Sequence, residues 1–182
     1  VLSTAYRNLQ DQLLTEIQDL QEFGPVTFRH QLLKGVGNYL CWSQISRYLE
    51  EGDPRREKTS RVLSLSERFV LAFTILWLPG SETGTIDELT YWLLETIPVA
   101  RSVINQLRAT AACHPAIQDT CTVCPMPAAY EAAQEAEIVV LNHALWLTES
   151  TRLPPFSNLV LDEAHTLEDV ATNALTQEVS SE

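Results

Sequence analysis

The sequence has no phosphate-cradling loop. A search of its 182 residues for G-x-x-x-x-G-K-[ST] finds nothing, and the nearest glycine pair, Gly35 and Gly37 in "KGVGNYL", lacks the Lys-Ser/Thr that meets phosphate and metal. A self-contained nucleotide site of that type is excluded. Long apolar runs are also missing: the longest, "FVLAFTILWL" at residues 69–78, is far too short to span a bilayer, so no membrane partner is expected. The start, "VLSTAYRNLQ", has no initiator Met, no basic stretch and no signal-peptide pattern, and reads as the start of a soluble, excised fragment. Repeats and low-complexity tracts are absent as well.

Basic side chains are scarce. Twelve Lys and Arg face 24 Asp and Glu, a net charge of −12, which argues against a chain that is basic all over and binds nucleic acid with its whole surface. The shortage is uneven. Residues 1–61 hold eight basic and eight acidic side chains, whereas residues 62–182 hold four and sixteen. Any strand-facing surface is therefore expected in the first third, where Arg29, Lys34 and the run Arg55, Arg56, Lys58, Arg61 occur. The simpler reading of that run is a solvated loop.

Four cysteines are present, spaced Cys41-x71-Cys113-x7-Cys121-x2-Cys124. Without a secretory signal a disulfide framework is disfavoured, because reducing compartments keep thiols free. Closing a 71-residue loop costs about 4 kcal/mol of chain entropy. A structural metal site returns on the order of 10 kcal/mol, enough to offset the closure. Four thiolates serve either zinc, to which the C-x-x-C and nearby His114 are suited, or an iron–sulfur cluster, and spacing alone does not choose. Buried inert thiols would explain Cys41 but not three cysteines within twelve residues.

The remaining pattern predicts secondary structure. Val1 and Leu2 read as the end of a strand, followed by a helix with Leu9, Leu13, Ile17 and Leu20 at helical spacing and a stop at Gly24-Pro25. Ser64 with Glu67, and Thr85 with Glu88, match the capping-box spacing, predicting helices over 67–78 and 86–96. The Trp residues and most Phe residues read as packing. After Cys124 come an Ala- and Glu-rich helix and two short apolar runs, in "EIVVLNHALW" and "NLVLDEAH", typical of buried parallel strands. The expected fold is α/β, with pieces of one parallel sheet at both ends and a mostly helical insertion of roughly 90 residues between them.

The second apolar run ends in acids. In "FSNLVLDEAHTLED" a strand stops at Asp162 and Glu163, the pattern of a Walker-B motif: one acid for the magnesium shell, its neighbour to activate the attacking water. A given tetrapeptide such as DEAH arises by chance in a chain of this length about once in a thousand. The simpler alternative is a helix cap, with Asp162 as N-cap and Glu163 in the first turn.

The combination of "KGVGNYLC", three clustered cysteines, "EIVVLNHALW" and "LVLDEAHTLED" resembles the iron–sulfur helicases of superfamily 2, the DinG and XPD group, and among them bacterial DinG. The resemblance covers nearly the whole chain. It implies a RecA-like first motor domain interrupted by the cysteine domain: 1–34 as motor, 35–125 as the iron–sulfur domain, 126–182 as motor again. The phosphate loop is then expected upstream of Val1, and this fragment alone is expected to be inactive. By the same resemblance Cys41, Cys113, Cys121 and Cys124 match the ligands of a [4Fe–4S] cluster. Asp162 matches the acid that holds magnesium and ATP, Glu163 the catalytic acid, and His165 the residue coupling nucleotide state to the motor. Asn142 and His143 match the family's "NH". "STAYRNLQDQLL" is similar to helicase motif Ia, making Thr4 and Asn8, with Lys34 from the charge pattern, candidates for DNA contact.

The function so implied is that of a fragment of an ATP-dependent 5′–3′ DNA helicase, cytoplasmic and nucleoid-associated, acting on single-stranded and forked DNA in repair together with helicase domains outside the fragment. The rival readings are a zinc-stapled binding module without catalysis and a redox-sensing DNA-binding domain.

Overall fold

A computed structural model describes residues 1–52, 62–110, 124–148 and 152–176. The basic run Arg55, Arg56, Lys58, Arg61 and the cysteines Cys113 and Cys121 lie outside the described residues. The chain divides into two compact units, residues 1–35 with 129–182 and residues 36–128.

The first unit is built on a parallel four-stranded sheet in the order β2-β3-β1-β4. Its strands are β1 (Leu2–Thr4), β2 (His30–Leu32), β3 (Ile138–Asn142) and β4 (Val160–Leu161). The α/β expectation holds. In register, Leu2 sits opposite Val140 on one side and Val160 on the other, so chain ends more than 130 residues apart are stitched into one sheet. β3 is central and reads as an apolar run because both its faces are covered: Val139, Val140 and Leu141 are buried. β4 forms the edge, and its Val160 is exposed.

Helix α1 (Arg7–Phe23) follows β1 directly, and Gly24 ends it by donating its N–H to the Leu20 carbonyl. Along it Ile17 is buried, while Leu20, at the same spacing, is exposed. Helix α6 (Pro125–Glu135), inside which the boundary between units falls, precedes β3. A small core of Leu33, Ala133, Val139, Leu141, Leu145 and Leu153 fills the unit. Helices α7 (His143–Thr148) and α8 (Leu167–Leu175) follow β3 and β4 and pack on each other.

The second unit is helical: α2 (Trp42–Glu51), α3 (Leu65–Trp77), α4 (Tyr91–Thr96) and α5 (Ala100–Leu107). Leu40, Ile45, Val70, Leu71, Leu93, Val103 and Leu107 are all but fully buried in one core, each contributing about 1.5–3 kcal/mol of transfer free energy. The capping box Ser64/Glu67 forms in both directions, with Ser64 Oγ accepting from the Glu67 amide and the Glu67 carboxylate from the Ser64 amide. Among the described residues no helix is long and apolar enough to cross a membrane.

The box at Thr85/Glu88 does not form. Glu88 turns instead to the preceding loop, where its carboxylate accepts from Ser81 Oγ at 2.6 Å, from the Glu82 and Thr83 amides at 3.1 and 2.8 Å, and from Thr83 Oγ1. With its carboxylate engaged, the chain makes only a 3-10 turn over Ile86–Glu88, and α4 begins at Tyr91 rather than at residue 86. Partial burial pushes the Glu88 pKa up, but the hydrogen bonds from Ser81 and Thr83 and the two amides outweigh it and hold it below the ordinary value. A lowered folded pKa means stability that is present above the unfolded glutamate range, about pH 4.3, and lost as pH falls through the folded value. Glu88→Gln is therefore expected to melt below wild type at neutral pH, with the gap closing on acidification below that range. A gap that stays constant from pH 7 downward would contradict this.

Candidate functional site

In open parallel sheets ligands bind beyond the carboxyl ends of the strands. At that end of the first unit β1 delivers Ser3 and Thr4, β3 delivers Asn142 and His143, and β4 delivers Asp162 and Glu163. A cleft of about 230 Å³ lies at the opposite end, beside Val1, Val139 and Asn158, and contains none of these residues.

Each side chain is tied by a specific bond. The Asp162 amide donates to the Ser3 carbonyl at 2.8 Å, extending the β1–β4 ladder to the first acid. The Asp162 carboxylate accepts from Thr4 Oγ1 at 3.3 Å. The Asn142 side chain accepts from the Leu145 amide at 2.7 Å, capping α7. His143, fully buried, uses both ring nitrogens: Nδ1 lies 2.7 Å from Ser3 Oγ and Nε2 3.0 Å from the Asp162 carbonyl oxygen.

Glu163 and His165 are exposed, with the imidazole Nδ1 3.2 Å from the Glu163 carboxylate. The helix-cap alternative at Asp162 is not realised: α8 begins only at Leu167, after a 3-10 turn. Glu163 has φ 54° and ψ 39°, and is the one residue other than glycine with positive φ among the described residues. A left-handed conformation costs a residue with a Cβ roughly 1–2 kcal/mol and persists only where surrounding bonds over-determine it. Here those bonds are the His143 contact on one side and, on the other, the Glu163 carbonyl accepting from the Thr166 amide and hydroxyl at 3.0 and 2.9 Å.

The residues nominated for DNA contact are placed differently from one another. Thr4 is fully buried, its hydroxyl directed to Asp162. Lys34 has a side chain only 8% exposed, with its ammonium 3.9 Å from Asp11. Asn8 is exposed on the first turn of α1. Arg29 is exposed but paired with Glu135 at 3.1 Å. Sequence reasoning passed over Ser3 altogether, because nothing in "LST" announces a hydrogen bond to a histidine 140 positions on.

In the second unit Leu40, one residue before Cys41, and Pro125, one residue after Cys124, each contact Gly84. Cys41 and Cys124 are 5% and 8% exposed, and neither forms a disulfide. Two isolated bridges, Tyr39 with Thr85 and Leu40 with Arg108, lay the stretch before Cys41 between two others. The Cys41 amide donates to the Leu107 carbonyl and the Ala109 amide to that of Tyr39, both at 2.9 Å. The Leu40 amide donates to the Gly84 carbonyl at 3.2 Å. Gly84, at φ +66°, has no Cβ to block the Pro125 ring: one built there would lie 2.2 Å from Pro125 Cγ. Residues 109 and 125, which flank the segment carrying Cys113 and Cys121, are thus both anchored within the same short-range network as Cys41. The Trp42 Nε1–H and Arg108 Nε–H are buried donors without a partner among the described residues. Buried donors need acceptors, and none of the described residues supplies one to these two. Buried thiols beside unpaired donors suit an anionic, sulfur-rich group.

A family model, DEAD_2, matches residues 99–182. Over its whole length the chain is 27% identical to the ATP-dependent DNA helicase YoaA of Haemophilus influenzae, of which it covers 28%. Over 96% of its length it is 28% identical to the 3'-5' exonuclease DinG of Bacillus subtilis, covering 18% of that protein. It is 29% identical, over its whole length, to the ATP-dependent helicase DinG of Mycobacterium tuberculosis, covering 29%. The chain spans less than a third of the length of these curated relatives.

Proposed function

We propose that this chain, a DinG-like helicase segment by its family-model match and its relatives, is the part of a first motor domain that carries the hydrolytic acids, together with an inserted [4Fe–4S] domain. The whole protein is then an ATP-dependent DNA helicase that moves 5′ to 3′ on single strands and opens forked DNA in the bacterial cytoplasm, at the nucleoid, in the service of repair. The observation that carries the reading is the position of Asp162 and Glu163: adjacent acids at the carboxyl end of a strand in a parallel sheet, the first fixed by Ser3 and Thr4 of the neighbouring strand.

In this reading the Asp162 carboxylate, oriented by Thr4, would help hold the magnesium of MgATP, which when bound would supply charge neutralisation at the transferred phosphoryl group. Glu163 orients the attacking water and takes its proton. His165, within hydrogen-bonding reach of Glu163, carries the state of that carboxylate to the rest of the motor. Cys41 and Cys124, with Cys113 and Cys121, would hold the cluster, which when bound supplies a structural cross-link between distant parts of the insertion. Thr4, being buried, supports Asp162, and Asn8, exposed on the first turn of α1, would make the DNA contact.

The test is made on the full-length protein, purified without air. Iron and acid-labile sulfide in equal amounts are expected, with ATP hydrolysis stimulated by single-stranded DNA and unwinding of forks that carry a 5′ rather than a 3′ tail. Protein that holds zinc and no iron, or that hydrolyses no ATP on single-stranded DNA, would overturn the proposal.

A further inference from the structure

His143 bridges two strands that the hydrolytic reading uses for different purposes. Its Nε2 lies 3.0 Å from the Asp162 carbonyl oxygen, which only accepts, so Nε2 carries a proton; Nδ1 lies 2.7 Å from the Ser3 hydroxyl, which can complete the bond in either direction. The ring is fully buried. The carbonyl it holds belongs to the peptide joining Asp162 to Glu163. Rotation about the next bond, φ of Glu163, is the strained one at 54°. With that peptide plane fixed by the Ser3 carbonyl through the Asp162 amide before it and by His143 at its own oxygen, the Glu163 side chain is aimed; without the imidazole contact the plane is free to rotate and the strain to relax.

We propose that His143 is the positioning residue that holds Glu163 in its left-handed, hydrolysis-competent conformation, and that Ser3 orients His143 from β1. This rests on Glu163 being the catalytic acid. The strand supplying Ser3 leads straight into α1, where Asn8 is exposed, so the same bond runs from the strand-facing turn to the acids.

Two substitutions of similar polarity separate this role from packing. In His143→Gln the side-chain amide reaches as far as Nε2 and keeps a donor for the Asp162 carbonyl; in His143→Asn it reaches only as far as Nδ1 and keeps the contact with Ser3 alone. In the full-length protein His143→Asn is expected to lower DNA-stimulated kcat about tenfold, with KM for ATP within about twofold, and His143→Gln to stay within about threefold of wild type. Equal kcat for the two variants, or a loss carried by KM, overturns the proposal. Melting temperatures of the pair show whether either loss reflects unfolding: if His143→Asn melts with wild type, its kcat decides. The 15N shifts of labelled histidine in the wild-type protein give a reading independent of activity and of fold. A proton on Nε2 is expected, and a proton on Nδ1 alone would sink the idea even if hydrolysis were absent for other reasons.

Discussion

Glu163→Gln in the full-length protein is expected to lower DNA-stimulated ATP turnover by about 10²- to 10⁴-fold, the range lost with a general base, while ATP affinity stays within about twofold. Glutamine keeps the length and shape of the side chain, and the backbone bonds that hold residue 163 in its left-handed turn do not involve the carboxylate. The fold at the site is therefore retained, and what disappears is the negative charge able to accept a proton from water. The distinction from Asp162 matters. Asp162→Asn removes a charge that Thr4 orients and that in the proposed role would hold magnesium, so it should weaken magnesium-dependent nucleotide binding as well as turnover. Single-turnover hydrolysis separates the two, since Glu163→Gln should bind nucleotide and stall before chemistry. A Glu163→Gln protein that turns over within about threefold of wild type would remove Glu163 from the mechanism and leave the helix-turn acids a structural feature.

The parts of this molecule that sequence revealed are those governed by local rules. The periodicity of Leu9, Leu13 and Ile17 announced α1, the run Ile138–Asn142 announced a buried strand, and apolar residues ending in Asp162 and Glu163 placed two acids at a strand's end. The α/β class followed from that alternation. β2 was not legible because His30, Gln31 and Leu32 are all partly exposed and show no pattern; they are a strand because β3 pairs with them in register. The two capping boxes had equal sequence support, yet only Ser64/Glu67 formed, since Glu88 found four donors in the loop before it. The backbone of Glu163 was hidden for a similar reason: a left-handed glutamate contradicts local preference, and bonds to His143 and Thr166 impose it. Contacts outside the element decided each of these cases: pairing with β3 for β2, the preceding loop for Glu88, and His143 and Thr166 for Glu163.

Cys41→Ser is expected to reduce the iron bound per full-length molecule to a small fraction of wild type and to lower the unfolding temperature of the second unit. Serine is close in shape to the nearly buried cysteine and leaves the Cys41 amide bonded to Leu107, so exchange of a thiol that binds nothing would leave the iron content unchanged. Exchange of a ligand would not, because a hydroxyl is a poor substitute for thiolate toward iron. The hydrogen bonds from Cys41 to Leu107 and from Ala109 to Tyr39 already bring most of the stretch between Cys41 and Cys113 back beside Cys41, so what Cys41→Ser would remove is the cross-link from Cys41 to the other three thiolates. Gly84→Ala offers a check that leaves every thiol in place. Its Cβ would be forced against Pro125, next to Cys124, so iron loading should fall although all four cysteines remain. Unchanged iron in Cys41→Ser would end the four-thiolate reading, and zinc in place of iron would replace the cluster with a staple. Neither result touches Glu163, whose strand and bonds belong to the other unit, so the two predictions fail independently.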